Sequence, residues 1–144
     1  RAISPDVRVV DDGAPTATGV TPVTGATEHD EQCALFAWAA ANEAQHPELA
    51  MLVAIPNGGY RPMATAARLK AEGVKAGYPD CFLAVRRGEF GGLFLELKRA
   101  DHSNHATAAQ RQWIDALRYY GYSAVIVYGA QEAISTIMAY LAQE

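Results

Sequence analysis

The chain of 144 residues is half hydrophobic and carries a formal net charge of −4. This length fits one domain with a single sizeable core, and this hydrophobic content excludes an intrinsically disordered chain. No apolar run approaches the roughly 20 residues needed to cross a bilayer, so we expect no membrane segment and no membrane partner. Cys33 and Cys81 lie in apolar stretches without metal-ligand spacing, which predicts reduced core thiols in a cytoplasmic protein.

The charge is unevenly distributed along the chain. Residues 61–118 hold ten of the twelve Lys and Arg residues and six of the sixteen acids, a net charge of +4, whereas the rest of the chain carries −8. One interpretation is ordinary scatter. The other is that an acidic protein presents a basic face to a nucleic acid.

The first 26 residues are rich in Pro, Gly, Thr and Val and show no sustained periodicity. They predict an extended arm at residues 1–26, followed by a single domain at residues 27–144. Thr27 is the predicted N-cap of a first helix that continues to about Ala44, with acids in the first turn that suit the positive end of the helix dipole.

This helix has one inward-facing stripe, which consists of Glu31, Leu35, Trp38 and Asn42. Glu31 therefore starts a stripe that should face the core. An acid at this position either lies at the solvent-exposed edge of the core or points inward at a cation.

The next stretch predicts a strand, a turn and a second helix. The strand is the apolar run Leu49–Ile55, and the turn is Pro56-Asn57-Gly58-Gly59. The helix runs from about Met63 to Glu72 and ends at Gly73.

A β-hairpin follows, with strands at Phe82–Val85 and Leu93–Leu97. The glycines between these runs supply the positive φ values that a reversal needs. Because the strand residues farthest from the turn lie side by side, Asp80 meets Glu96 and Lys98 at the open end of the hairpin.

The open end has the chemistry of a metal site. Two carboxylates that close repel each other, and a proton or a divalent cation relieves the repulsion. Oxygen ligands favour a hard cation such as Mg²⁺ or Mn²⁺. The alternative is that Asp80 is a turn acid and that Glu96 and Lys98 lie on a solvated strand face.

The rest of the chain predicts a third helix from about Thr107 to Tyr120, a strand at Ser123–Tyr128 and a last helix at Gln131–Leu141. The inward stripe of the third helix consists of Ala106, Ala109 or Gln110, Trp113, Leu117 and Tyr120. The order α-β-α-β-β-α-β-α predicts an α/β sandwich, in which a mixed β-sheet is flanked by helices.

Four features in this order resemble the PD-(D/E)XK nuclease superfamily. They are Glu31 on the first helix, Pro79-Asp80, Glu96-x-Lys98 and Gln110-x-x-Trp113. Together with the Asn57-Gly58-Gly59 turn and Gly77 two residues before Pro79, they are most similar to the VRR-NUC branch, in its small stand-alone form from phages and bacteria. The resemblance spans roughly residues 27–128 and implies a restriction-endonuclease-like fold.

The resemblance also implies a role for each residue of the pattern. The ligands of Mg²⁺ or Mn²⁺ would be Asp80, Glu96, the backbone carbonyl of Leu97 and, directly or through water, Glu31. Lys98 would position or activate the attacking water, and Gln110 would orient Lys98 or a water. The structural alternatives are that Glu31 is an acid at the edge of the core and that Gln110 is a satisfied core amide.

Several basic residues are candidates for phosphate contacts, which position a duplex without reading its sequence. They are Arg61, Lys75, Arg86, Arg87, Arg99 and Arg111. His102 and His105 either touch phosphate, carry protons or are solvated bystanders. Tyr60 and Phe90 would stack on an opened base or wedge a branch, unless Phe90 only pins its own turn.

Together these features predict a metal-dependent DNA endonuclease that hydrolyses phosphodiesters and selects branched DNA, Holliday junctions included. Cutting both strands of a symmetric junction needs two active sites related by a two-fold axis, so we expect a homodimer. The alternatives are a restriction-like or nicking nuclease whose specificity comes from a partner, a non-catalytic nucleic-acid-binding module on the same fold, and a protein-interaction domain.

Overall fold

The computed structural model describes residues 24–56 and 62–144. Predictions for residues 1–23, the Asn57-Gly58-Gly59 turn, Tyr60 and Arg61 lie outside the described residues. Those described form a mixed four-stranded sheet with helices on both faces, which confirms the predicted α/β class. No helix in these two ranges is long and apolar enough to cross a bilayer.

The sheet consists of β1 (Leu52–Ala54), β2 (Cys81–Leu83), β3 (Leu93–Lys98) and β4 (Ser123–Tyr128), in the order β1-β2-β3-β4. β2 runs antiparallel to both β1 and β3, whereas β4 is parallel to β3. A parallel pair requires a crossover connection, and a helix between β3 and β4 supplies it.

The predicted hairpin is formed by β2 and β3. Cys81 pairs with Leu95, so Asp80 lies next to Glu96 along the ladder. The Asp80 N–H extends this ladder by donating to the Leu95 carbonyl at 3.0 Å. The hairpin therefore brings Asp80 and Glu96 together at its open end, as the sequence predicts.

The turn of the hairpin differs from the prediction. Gly88 has a φ of +52°, but Gly91 and Gly92 do not have positive φ values. Gly92 is needed for space instead, because a Cβ there would lie 2.5 Å from Cε2 of Phe82.

The helices begin and end close to the predicted signals. They are α1 (Glu28–Asn42), α2 (Met63–Ala71), α3 (Ala108–Tyr119) and α4 (Gly129–Leu141). Thr27 and Thr107 each form a capping box with the third residue of the following helix, which satisfies backbone N–H groups that lack a helical partner. Gly73 and Gly121 follow α2 and α3 with φ values of +97° and +89°.

Two apolar clusters, one on each face of the sheet, make up the core. On one face α1 and α4 cover Leu93, Leu95 and Leu97 of β3. On the other face α3 packs against Phe94. Alternation along β3 therefore places Glu96 and Lys98 on the α3 face of the sheet.

The prediction of a strand over Leu49–Ile55 is wrong in its first half. Pro47–Met51 forms a 3-10 helix, and the strand is limited to Leu52–Ala54. Pro47 favours a helical start, because its φ is already fixed near the helical value and its missing N–H is not needed there.

Two side chains that were predicted to be buried are exposed. Cys33 lies two residues before the buried Leu35, about 200° around a helix of 3.6 residues per turn, so it points away from the core. Tyr120 is the C-cap residue of α3 and is 76% exposed. The buried part of α3 is formed by Ile114 and Leu117 instead.

Candidate active site

The open end of the hairpin gathers Asp80, Glu96 and Lys98 at the edge of the sheet where β3 ends. Glu96 is 1% exposed and Lys98 is 4% exposed, so the alternative of a solvated strand face is wrong. Buried charges are costly unless each has a partner. The contacts of these three groups therefore determine what the site can do.

The segment before Asp80 is fastened to α3. Trp113 Nε1 donates to the Ala76 carbonyl at 3.0 Å, and the Trp113 ring meets Tyr78 edge to face at 4.9 Å between centroids. Gly77 has a φ of +78°, and a Cβ there would lie 3.0 Å from Ala109, so only glycine fits without strain. These contacts fix the position of the Asp80 backbone relative to α3.

Glu96 is held through one of its two carboxylate oxygens. Its Oε1 lies 3.1 Å from Lys98 Nζ and accepts a hydrogen bond of 2.5 Å from Gln110 Nε2. The Gln110 Oε1 accepts from the Thr107 N–H at 2.8 Å, which fixes the orientation of the amide. Gln110 thus contacts Glu96, where the resemblance implied Lys98 or a water.

The second oxygen of Glu96 is the unusual atom of the site. Oε2 is buried and has no hydrogen-bond partner among residues 24–56 and 62–144. Asp80 lies beside it, and Asp80 Oδ2 accepts the Leu97 N–H at 2.8 Å. Burial first, and then the charge of Asp80, raise the pKa of Glu96 to about 8. Burial likewise raises the pKa of Asp80, although the Leu97 N–H opposes it.

Lys98 remains an ammonium in this setting. Burial lowers its pKa, but the hydrogen bond and charge of Glu96 together with the charge of Glu28 outweigh burial, so the net pKa is raised. The side chain therefore contributes a positive charge near neutral pH.

Glu28 and Asn104 are site residues that the sequence analysis missed. Glu28 Oε1 lies 3.2 Å from Lys98 Nζ and also accepts a short hydrogen bond from Asn104 Nδ2. Asn104 is held in turn by the Arg99 N–H, which donates to its Oδ1 at 3.1 Å. Glu28 could be seen in the sequence as an acid at the start of α1, but the sequence analysis explained it by the helix dipole alone.

Glu31 is buried, as its place in the stripe predicts, but its contact is with α4. Its Oε2 accepts the Ala130 N–H at 2.8 Å, in the first turn of that helix. A carboxylate at a helix N-terminus is stabilised by the exposed N–H groups and by the dipole. This contact accounts for the burial of Glu31 without a cation, so its role as a metal ligand stays a prediction.

The donor set fits a hard divalent cation. Asp80 and Glu96 supply carboxylate oxygens, one of them buried and unpartnered, and their mutual repulsion is what a cation would relieve. No cluster of three or more His, Cys, Asp or Glu side chains suited to metal binding occurs in the described parts of the chain. Backbone oxygens or water would have to complete the coordination.

The predicted phosphate-contacting residues fall into two groups. Lys75, Arg86 and Arg111 are exposed, whereas Arg87 and Arg99 are partly buried and make contacts within the protein. Arg87 contacts Glu48 at 2.6 Å and the Leu141 carbonyl at 3.1 Å, and Arg99 lies 3.5 Å from Asp101. Arg61 lies outside the described residues. A DNA contact by Arg87 would have to replace the contacts that hold the turn.

The remaining sequence-predicted residues lie near the two ends of the hairpin. Phe90 packs against the core and pairs through its backbone with Arg87, which supports the interpretation that it pins its own turn. His105 is exposed. His102 is also exposed, but its ring stacks on Tyr128.

Comparison with solved structures shows a similarity to a known protein. A solved structure described as "VRR_NUC domain protein" superimposes with a TM-score of 0.70 and 33% sequence identity, over 81% of this chain and 89% of that chain. No protein-family model matches the sequence, and no curated protein matches it.

The mixed sheet, the half-buried Asp80 beside the buried Glu96 and Lys98 at the open end of its hairpin, and this similarity define a nuclease-type hydrolase domain. The similarity extends over most of both chains at an identity that indicates common descent. The chain belongs to the VRR-NUC family of the PD-(D/E)XK nuclease superfamily.

Proposed function

We propose that the protein is a metal-dependent DNA endonuclease that hydrolyses phosphodiester bonds. The observation that carries this proposal is the buried Glu96 oxygen without a partner, next to the carboxylate of Asp80. Such an arrangement is unfavourable in the metal-free protein and is relieved when a cation binds. Family membership supports a nucleic-acid phosphodiester as the bond that is cut.

In the proposed mechanism, Asp80, Glu96 and the Leu97 carbonyl would hold Mg²⁺ or Mn²⁺, and the cation would supply Lewis-acid polarisation of the phosphodiester. The chain prepares these ligands in advance. The Leu97 N–H orients the Asp80 carboxylate, and the Gln110 amide orients that of Glu96. Ligands that are already oriented lose little freedom when the cation and substrate bind.

Lys98 acts on the substrate side of the site. Its ammonium is steadied by Glu96 and Glu28, at 3.1 and 3.2 Å. In this position it would neutralise charge on the phosphate and hold the attacking water by a hydrogen bond. The raised pKa of Lys98 favours this role over that of a general base in the metal-free protein.

The surroundings of the site suit an anionic backbone. The first turns of α1 and α3 supply Glu28 and Gln110, so the positive ends of two helix dipoles face the site. The exposed Arg111 follows Gln110 on α3, and the exposed Lys75 precedes the segment that leads to Asp80. Both would contact phosphates of the bound DNA.

We further propose selectivity for branched DNA, including Holliday junctions. The described elements all belong to the catalytic fold, so recognition would depend on the shape of the DNA more than on its bases. A symmetric junction is resolved by two sites related by a two-fold axis, and the protein would act as a homodimer. Light scattering that gives a monomer at micromolar concentration would contradict resolution of junctions by this protein.

The test is a panel of linear, flapped and four-way DNAs of equal length, incubated with Mg²⁺, Mn²⁺ or EDTA. We expect cleavage of the branched DNAs with either metal and none in EDTA. Lys98→Ala should abolish cleavage while its far-UV circular dichroism matches the wild type. Equal cleavage of linear duplex would remove the selectivity, and unchanged cleavage by Lys98→Ala would remove the mechanism.

A further inference from the structure

The loop after Lys98 begins with a tight turn that is tied to the active site. The His102 N–H donates to the Arg99 carbonyl at 3.1 Å and closes this turn. The Arg99 N–H donates to Asn104 Oδ1 at 3.1 Å, and the Asn104 amide contacts Glu28, which contacts Lys98. The turn is therefore coupled to the lysine through a continuous chain of hydrogen bonds.

The same turn is seated on the junction between β4 and α4. Gly129 has a φ of +83°, and a Cβ on it would lie 2.7 Å from the Ala100 Cβ. Only glycine allows this close approach. The turn thus has two anchors, one at Glu28 and one at Gly129, and both fix its position relative to the site.

His102 occupies an unusual conformation in this anchored turn. It is the one non-glycine residue with a positive φ, +57°, among residues 24–56 and 62–144. Glycine or asparagine would adopt this φ with less strain. The imidazole ring stacks on Tyr128 with 4.0 Å between centroids and 11° between planes. A strained residue held at a functional site is a reason to ask what its side chain does there.

The ring pair lies on the catalytic face of the sheet. Tyr128 is the register partner of Lys98, and partners in a parallel pair project from the same face, on strands about 4.8 Å apart. Tyr128 is half-buried and His102 is exposed. Tyr128 covers one face of the imidazole, so the exposed surface of His102 lies on the rest of that residue.

We propose that the His102–Tyr128 pair is a stacking platform for an unpaired nucleobase next to the phosphate that is cut. This inference rests on the proposed function and narrows its substrate. Aromatic rings stack on any base, because every base has a π-face. In continuous duplex each base is already stacked on its neighbours. The platform therefore favours DNA with an unpaired base at the cleavage point, such as a flap.

The test compares two DNAs that differ in the pairing of one base. Both carry 2-aminopurine at the same position, in one DNA unpaired and in the other opposite thymine. Binding is followed by 2-aminopurine fluorescence and by anisotropy, with Ca²⁺ in place of Mg²⁺. We expect the wild type to quench the unpaired base and His102→Asn to bind that DNA about tenfold more weakly. Its affinity for the paired DNA should be unchanged.

Asparagine is the matched substitution, because it tolerates the left-handed conformation while it removes the ring. Tyr128→Leu is the second variant, since it removes the supporting ring without altering the turn, and it should also weaken binding of the unpaired base. Circular dichroism and thermal unfolding confirm that each variant folds.

Two outcomes would contradict the proposal that the His102–Tyr128 pair is a stacking platform. Equal weakening of both DNAs by His102→Asn would make His102 a phosphate contact, and unchanged binding of both would remove it from the interface. Cleavage of the same DNAs by the wild type in Mg²⁺ is read separately. A protein that quenches the unpaired base but cuts neither DNA would retain the platform and contradict the nuclease.

Discussion

The two ends of the β2–β3 hairpin both place charged groups near the core, but they compensate those charges differently. At the turn end, Arg87 meets one carboxylate, that of Glu48, and two carbonyls, those of Leu141 and Arg86. At the open end, the Lys98 ammonium lies among three carboxylates, those of Asp80, Glu96 and Glu28. One oxygen of Glu96 has no partner within the described parts of the chain.

This difference distinguishes a structural ion pair at the turn end from a candidate active site at the open end. The turn-end charges balance, and the pair joins the turn to the 3-10 helix and to the end of α4. The open end holds three carboxyl groups to one ammonium, and burial disfavours the ionisation of this excess of acids, which keeps a proton on Glu96 up to a pH of about 8. A fold retains such an arrangement only where its surroundings impose it, and a divalent cation would relieve the repulsion between these acids.

Asp80→Asn tests this difference between the two ends of the hairpin, and it is the variant with the largest expected effect. The amide retains an oxygen for the Leu97 N–H but removes one of the opposed charges. Cleavage in Mg²⁺ should fall by about 10³-fold, while the free energy of unfolding of the metal-free protein rises by about 1 kcal/mol. Cleavage assays and urea unfolding in EDTA measure the two effects. Retained cleavage, or a loss of stability, would show that the open end is an ordinary balanced cluster.

The pH dependence of stability tests the same excess charge. The pKa of Glu96 is raised from 4.5 to about 8. Between these values the unfolded chain has released a proton that the folded protein still holds, so stability falls as pH rises from about 5 to 8 and then levels off. Asp80 acts in the same direction.

We expect a loss on the order of 2 kcal/mol in EDTA, measured by urea unfolding at a series of pH values. The loss should be smaller in Asp80→Asn, where one of the two charges is absent. A profile that is flat or rises between pH 5 and 8 would contradict the raised pKa.

Glu28→Gln and Glu31→Gln distinguish two of the three acids in the first turn of α1. Glu28 contacts Lys98, whereas Glu31 caps α4 through the Ala130 N–H. Glu28→Gln should lower kcat about tenfold with little change in KM, because it weakens the hold on the ammonium. Glu31→Gln should lower the free energy of unfolding by about 1 kcal/mol and leave kcat near the wild-type value. The reverse result would favour Glu31 as the metal ligand.

The parts of the site that local patterns encode were predictable from the sequence. Strand alternation and the turn glycines placed Asp80 beside Glu96, and the capping and stripe patterns placed Gln110 on the inward side of α3. The contact between Glu28 and Lys98 was not predictable, because it joins residues 70 positions apart and depends on how α1 meets the loop after β3. The partner of Glu31 was missed for the same reason. Its burial followed from helical periodicity, but its contact with α4 is a property of the assembled fold.

Arg86 and Arg87 provide the most sensitive test of the turn end, where the expected effects are smallest. The turn lies about 17 Å along β3 from Lys98, within reach of a bound duplex. Arg86 is exposed, whereas Arg87 is engaged with Glu48 and Leu141. Arg86→Ala should therefore reduce the slope of log affinity for DNA against log salt by about 0.9 without changing stability. Arg87→Ala should lower the free energy of unfolding by about 1 kcal/mol and leave the slope unchanged, because its charge is already compensated within the fold. A reduced slope in Arg87→Ala would mean that the ion pair opens when DNA binds, and the turn end would then belong to the functional surface as well.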